Sequence, residues 1–365
     1  MRRDSLRLDE GPPGGPAGSG PAAPALFERD AVARTFDTPG FRGMTFFEVH
    51  ARSIINQVPE ASRMSFRWTI NPYRGCSHSC AYCFARSSHT YLDLDSGHDF
   101  NSKIVVKVNA PVLARRELAS PKWQGEHVAM GTNVDCYQRA EGRYRLMPGI
   151  IGALRDAANP FSILTKGTLI LRDLDLLAEA AEVTDVGLNV SVGFVDKEIS
   201  RSVEPGTPAP ERRLEVCAGI TARGLRCGVL MGPVLPFLTD SRGQLEATVR
   251  LIAEAGAASV TPIVLHLRPG AREWFLLWLR ENFPDLVDSY RDLYARGAYT
   301  PRAYQERIAG QVRELAKRYG VGRASPRQAR RGTQPQGPSS PRAGRAAPGA
   351  DPAVEPAGPV QLSLL

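Results

Sequence analysis

Lysine is scarce in this chain: 6 of its 46 basic side chains are lysines and the other 40 are arginines. A compositional bias toward arginine accounts for that, and it makes each lysine, among them Lys107 and Lys166, conspicuous. Long hydrophobic runs are missing as well. No stretch approaches the ~20 apolar residues of a membrane-spanning helix, so an integral membrane protein is not expected. The first 25 residues contain no apolar core of the kind a secretory signal carries, so export is not expected either. Cysteine is sparse, with six in 365 residues, too few and too unevenly placed for a disulfide-stapled secreted domain. Three of them fall within eight residues, a clustering that points to a metal or cofactor in a reducing cytoplasm. The net charge of +8 permits an anionic partner without demonstrating one. No internal repeat of fixed period is present.

Composition divides the chain. Residues 1–25 and 321–365 together hold 13 of the 29 prolines and are rich in glycine. Such segments bury too little apolar surface to offset chain entropy, so both are expected to be disordered tails. The C-terminal tail carries a net charge of +4, half the total. Between the tails we expect an N-terminal extension at 26–64, a catalytic domain at 65–283 and further helices at 284–320.

Within the central region, short β-branched runs alternate with helical patterns. The expected strands are 66–70, 126–131, 161–164, 187–192, 226–231 and 259–265. The expected helices are 111–119, 148–158, 173–181, 210–222, 243–254 and 271–282, with Pro111, Pro148 and Pro210 suited to first helical turns. The run 104–108 (IVVKV) reads as one extra short strand. Alternation of this kind implies an α/β fold with a parallel sheet and right-handed crossovers. Six units are too few for a closed eight-fold barrel. They suit a partial barrel, with a doubly wound open sheet as the competing arrangement. The chemically unusual residues follow the strands, which is where active sites gather in parallel α/β folds.

The most informative segment is NPYRGCSHSCAYCFAR at 71–86. Its Cys76, Cys80 and Cys83 form a C-x3-C-x2-C pattern. Three thiolates can hold three irons of a 4Fe–4S cluster and leave the fourth iron without a protein ligand. Two alternatives stay open at this point: a zinc site recruiting His78 or Cys136 as fourth ligand, and a chance cluster of cysteines. The pattern, with Tyr82 just before the last cysteine, resembles the radical SAM superfamily. Together with KVNAP, GTNVDCYQRAE, LTKGTLILRDLDLL, VSVGF and VEPGTPAPERRLE, it is similar to the spore photoproduct lyase-like branch, also called DNA-repair-photolyase-like. The resemblance runs from about residue 71 to 284.

That resemblance implies a partial (β/α)6 barrel with the N-terminal extension and C-terminal helices as additions. It implies a 4Fe–4S cluster ligated by Cys76, Cys80 and Cys83 and S-adenosylmethionine (SAM) chelated by the open iron. One electron from a flavodoxin- or ferredoxin-like donor would cleave SAM to a 5′-deoxyadenosyl radical, which abstracts hydrogen from substrate. Gly131 and Thr132 occupy the place of the family's stretch that binds the SAM amino group. Tyr82, Asp135, Thr165, Lys166, Ser191 and Glu204 are further expected cofactor contacts, each with an ordinary structural alternative such as core packing, a loop cap or a helix entry. Lys166, closing a buried strand, is also expected at the chemistry. Cys136 reads first as a spectator and, by proximity to the cofactor, as a hydrogen-donating thiol.

The last five residues, Gln361 to Leu365 (QLSLL), resemble the short peptide that docks on the bacterial sliding clamp, and a basic linker before them would suit nearby DNA. Nucleic acid is the leading substrate class. A radical SAM enzyme acting on a peptide or small metabolite, or a non-catalytic metal-binding protein, remain the alternatives.

Overall fold

A computed structural model of the protein describes residues 31–59, 62 and 64–322, together with the two-residue strand Leu6–Arg7. Apart from that strand and from Val321 and Gly322, which follow the last helix with Val321 packed on the core, the expected tails lie outside the described residues, and so does the QLSLL peptide. Six parallel strands run in chain order across one sheet: β1 (Trp68–Ile70), β2 (Val128–Met130), β3 (Phe161–Thr165), β4 (Val186–Ser191), β5 (Cys227–Val234) and β6 (Ser259–Val264). The register is continuous at its first edge, with Ile70 beside Met130 and Met130 beside Ile163. A seventh strand, Ile55–Gln57, lies antiparallel on the outer edge of β1, so the sheet stays open and forms a partial barrel.

The strands read in sequence as 66–70 and 126–131 are shorter here, and β5 is longer. The expectation for β5 stopped at Met231, just before Gly232-Pro233. A register shift between Met231 and Val234 instead lets pairing resume at Val234 with Val264. Proline has no N–H to give a ladder, and an irregularity in the register is where a strand tolerates it.

A second sheet packs beside the first. Its centre is the strand Thr45–Ala51, flanked by Val32–Arg34 and Leu6–Arg7 on one side and by Lys103–Lys107 in parallel on the other. Tyr73–Arg74, at the start of the cysteine segment, closes it against Lys103–Lys107. The extra strand expected at 104–108 therefore belongs here and not to the barrel. Both faces of Thr45–Ala51 are covered. Phe46 faces the main core, whereas Phe47 and Val49 join Leu92, Leu94 and Val105 on the far side.

C-terminal helices finish the molecule. Ala271–Asn282 and Val287–Leu293 bring Phe275, Trp278 and Tyr290 against Cys80, Ala81 and Tyr82. Arg302–Tyr319 places Ile308, Val312 and Leu315 on one face, against Met231, Val234 and Val264 of the last two strands.

One buried polar knot ties the two sheets together. Glu141, with no exposed surface, accepts from Tyr73 Oη at 2.5 Å, from Arg172 at 2.6 Å and from the backbone N–H groups of Leu146 and Met147 at 3.0 and 3.1 Å. Arg172 also holds Asp173, which accepts from Tyr137 Oη at 2.9 Å. Removing one partner of such a group strands the others in a low-dielectric interior, at a cost of about 3–5 kcal/mol. Glu141→Ala should therefore lose about that much unfolding free energy, measured by urea denaturation. An unchanged midpoint would show that the knot holds nothing together.

Candidate active site

The three clustered cysteines lie on the loop after β1, at the C-terminal end of the barrel strands. Cys76 and Cys80 are buried and Cys83 is half-buried; all three are free thiols. The loop makes little regular structure of its own, so its backbone is held from elsewhere. Cys76 N–H donates to Phe100 O at 2.9 Å and Ala81 N–H to Val203 O at 2.8 Å. Gly206 N–H donates to His78 O at 3.0 Å. Gln138, fully buried, uses both ends of its amide: Oε1 accepts from Ser77 N–H and Nε2 donates to Gly75 O, each at 2.9 Å. A Cβ on Gly206 would sit 2.0 Å from Ser77 O, so only glycine lets this turn approach the loop.

Burial dominates the thiols. It pushes Cys80 up to about 12, with Lys166 the first influence opposing it. Burial likewise raises Cys76 well above its ordinary value, and the Asp135, Cys83 and Cys80 charges add to that. The three sulfurs thus act on one another. Yet among the described residues no group of three or more His, Cys, Asp or Glu side chains is gathered closely enough for a single metal ion. Three soft thiol donors on one loop are the donor set that an iron–sulfur cluster takes. His78 lies against Asp135 instead, Nδ1 to Oδ2 3.4 Å, and burial lowers its pKa to about 4.

Two networks place the other expected site residues. Tyr82 Oη donates to one oxygen of Glu204, and the Arg213 guanidinium holds the other. Arg213 also donates to Pro208 O at 2.7 Å, Thr207 Oγ1 at 2.9 Å and Ser191 O at 3.2 Å. Glu204 and Arg213 are each about 1% exposed. A buried ion pair repays little more than its own desolvation, but breaking it costs about 3–5 kcal/mol. Its effect is therefore on geometry: it bolts the tyrosine of the cluster loop to the segment after β4.

Asp135 is equally committed. Its Oδ1 accepts from Tyr137 N–H at 2.8 Å and Thr165 Oγ1 at 2.7 Å, and its Oδ2 from Lys166 N–H at 2.6 Å. It fastens the loop after β2 to the end of β3. The Lys166 ammonium is different. It sits 5.8 Å from the centroid of the Tyr82 ring and makes no hydrogen bond or ion pair with a described residue. Ser191 Oγ donates to Gly232 O at 2.9 Å. Thr132 is half-buried on the loop after β2. Gly131, at φ +76°, has a reason of its own to be glycine: a Cβ there would meet Leu164 O at 1.8 Å. Cys136 is buried within the main core, and burial raises its thiol well above the ordinary value.

Contacts thus join Cys80, Tyr82, Asp135, Thr165, Lys166 and Glu204 in one region, with Ser191 reached through Arg213. Gln138, Arg213 and Gly206 also shape it and were not singled out from sequence; so do His78, offered there as a fourth zinc ligand, and Arg86, which flanks the cysteine loop. Gln138 and Arg213 stand beside acidic or basic neighbours in DCYQRAE and PERRLE and carry no spacing signal.

The family model described as the Radical SAM superfamily matches residues 70–252. The uncharacterized protein Rv2578c of Mycobacterium tuberculosis is 51% identical over 298 residues, covering 82% of this chain and 87% of that protein. The uncharacterized protein ORF301 of Acidianus two-tailed virus is 28% identical over 234 residues, covering 62% of this chain and 76% of its own. Among solved structures, spore photoproduct lyase complexed with dinucleoside spore photoproduct superimposes with a TM-score of 0.57 at 14% identity, over 76% of this chain and 80% of that one. A mutant of the same lyase with bound AdoMet and dinucleoside spore photoproduct gives 0.55 at 15% identity, over 72% and 77%. The chain belongs to the radical SAM superfamily, with a partial-barrel fold like that of spore photoproduct lyase.

Proposed function

We propose that this enzyme reductively cleaves SAM at a 4Fe–4S cluster held by Cys76, Cys80 and Cys83, and that its substrate is a nucleic acid. The observation that carries the first part is the loop of three free, mutually interacting thiols at the C-terminal end of β1, with the unpaired Lys166 ammonium beside it. When bound, the cluster supplies one electron, delivered by an external one-electron donor, that splits SAM and generates a 5′-deoxyadenosyl radical.

The protein's own residues then divide the work. The three cysteines hold the cluster as thiolates. Lys166 offers its free donors to an anionic group, the SAM carboxylate being the nearest candidate chemistry. Gly131, Thr132, Thr165 and Ser191 line the ends of β2, β3 and β4, where a bound nucleoside and amino acid would lie. Asp135 and Glu204, with their oxygens already engaged, act as positioning residues for Lys166 and Tyr82. Cys136 serves as core and takes no part in hydrogen transfer.

The nucleic-acid reading is supported by the fold shared with a lyase whose solved complexes contain a dinucleoside photoproduct, and by the net charge of +8. Phosphate contacts make such binding strongly salt-dependent.

Three outcomes are expected. Cys76→Ala, Cys80→Ala or Cys83→Ala, each alone, should reduce iron uptake after anaerobic reconstitution and abolish 5′-deoxyadenosine formation from SAM and dithionite; full turnover by any one of them would remove that cysteine from the ligand set. Lys166→Met should leave iron content unchanged while raising the KM for SAM roughly ten- to a hundredfold, the loss of one charge-assisted hydrogen bond of about 1.5–3 kcal/mol. Binding to a DNA oligonucleotide should weaken steeply between low and physiological salt, and no binding even at low salt would exclude the nucleic-acid substrate.

A further inference from the structure

Arg86, three residues beyond Cys83, has no exposed surface at all. Its guanidinium has five N–H donors, and the structure supplies five hydrogen bonds to four acceptors, Cys80 O taking two. Nε donates to Cys80 O at 3.2 Å. One terminal nitrogen donates to Ser96 O at 3.2 Å and Gly97 O at 2.9 Å. The other donates to Cys80 O at 2.9 Å and Asn101 Oδ1 at 3.1 Å. Its faces are closed by aromatic rings, Phe100 at 5.3 Å and Trp274 at 4.7 Å from their centroids.

Every one of those acceptors is neutral. The other deeply engaged arginines are treated differently: Arg213 is paired with Glu204, and Arg172 with Glu141 and Asp173. Among the described residues no carboxylate lies within ion-pair distance of Arg86. A buried charge without a counter-charge is costly, whatever its hydrogen bonds. Burial works against the charged guanidinium, and two of its hydrogen bonds end on Cys80 O of the cysteine loop, so the unmatched charge is fixed against that loop.

We propose that Arg86 is the built-in counter-charge of the iron–sulfur site. It is a positioning residue whose fixed positive charge raises the reduction potential of the cluster that the loop holds. The physical basis is simple. Reduction adds one negative charge in a poorly solvated place, and a cation fixed nearby stabilises the reduced state more than the oxidised one. The same side chain pins Cys80 O, so charge and loop geometry are set by one group. The inference rests on the reading of Cys76, Cys80 and Cys83 as cluster ligands.

The test compares wild type, Arg86→Gln, Arg86→Lys and Asn101→Asp after anaerobic reconstitution with iron and sulfide. Iron content and the midpoint potential from an EPR-monitored redox titration are the readouts. Arg86→Gln should shift the potential to a more negative value, and Arg86→Lys, which keeps the charge, should restore most of the shift. Asn101→Asp leaves Arg86 in place but gives it a carboxylate, so it too should move the potential negative. A wild-type protein that takes up no iron would overturn the cluster reading and this inference with it. A wild type that loads normally, with Arg86→Gln at the same potential or Arg86→Lys shifted as far as Arg86→Gln, would overturn this inference alone. Should Arg86→Gln fail to fold, Asn101→Asp decides: a negative shift supports the counter-charge, and an unchanged potential refutes it.

Discussion

Three thiols on an irregular and largely buried loop cannot hold their own positions, and most of the polar structure around the barrel mouth answers that one constraint. A loop from Gly75 to Cys83 has backbone groups with no helix or sheet to satisfy them, and a buried orphan would be expensive. Phe100, Gln138, Val203, Gly206 and Arg86 take up those groups from four separate parts of the chain. The loop is thus a product of the whole fold. It exists in this shape only when β2, the segment after β4 and the second sheet are all in place.

The same logic separates the charged residues by role. Glu204, Asp135 and Glu141 are surrounded by donors, so each is spent on geometry: the first on Tyr82, the second on the end of β3, the third on the junction of the two sheets. Their burial yields little net stability, because desolvation cancels most of the attraction. What they yield is a single arrangement. Lys166 stands apart, half-buried with its ammonium uncommitted, and Arg86 stands apart in another way, with its hydrogen bonds complete but its charge unmatched. In a chain where lysine is rare and arginine abundant, these two cations differ in what is left over: for one its hydrogen-bond donors, for the other its charge.

Much of the barrel was legible before any coordinates, because strand and helix patterns depend on neighbours in sequence. The helices Pro210–Ala222 and Ala271–Asn282 begin and end where proline and apolar spacing place them. The second sheet was not legible. Thr45–Ala51 is covered on both faces, so it lacks the alternation of a half-exposed strand, and its partner Lys103–Lys107 lies across the cysteine segment from it. The short helices Arg139–Tyr144 and Lys197–Val203 were also missed, being too brief to show a period. Residues such as Gln138 and Arg213 escaped for a related reason: a side chain that clamps a distant backbone leaves no mark on its own surroundings in the sequence.

By itself the sequence determined the class of the protein and the identity of its three clustered thiols. Those follow from local spacing and from the alternation of strand and helix, both of which are written in consecutive residues. The tertiary structure alone decided which charged groups are already satisfied and which are left over. That depends on burial and on partners far apart in the chain, 61 positions between Gln138 and Ser77 and 122 between Glu204 and Tyr82, and no pattern of neighbouring residues records it.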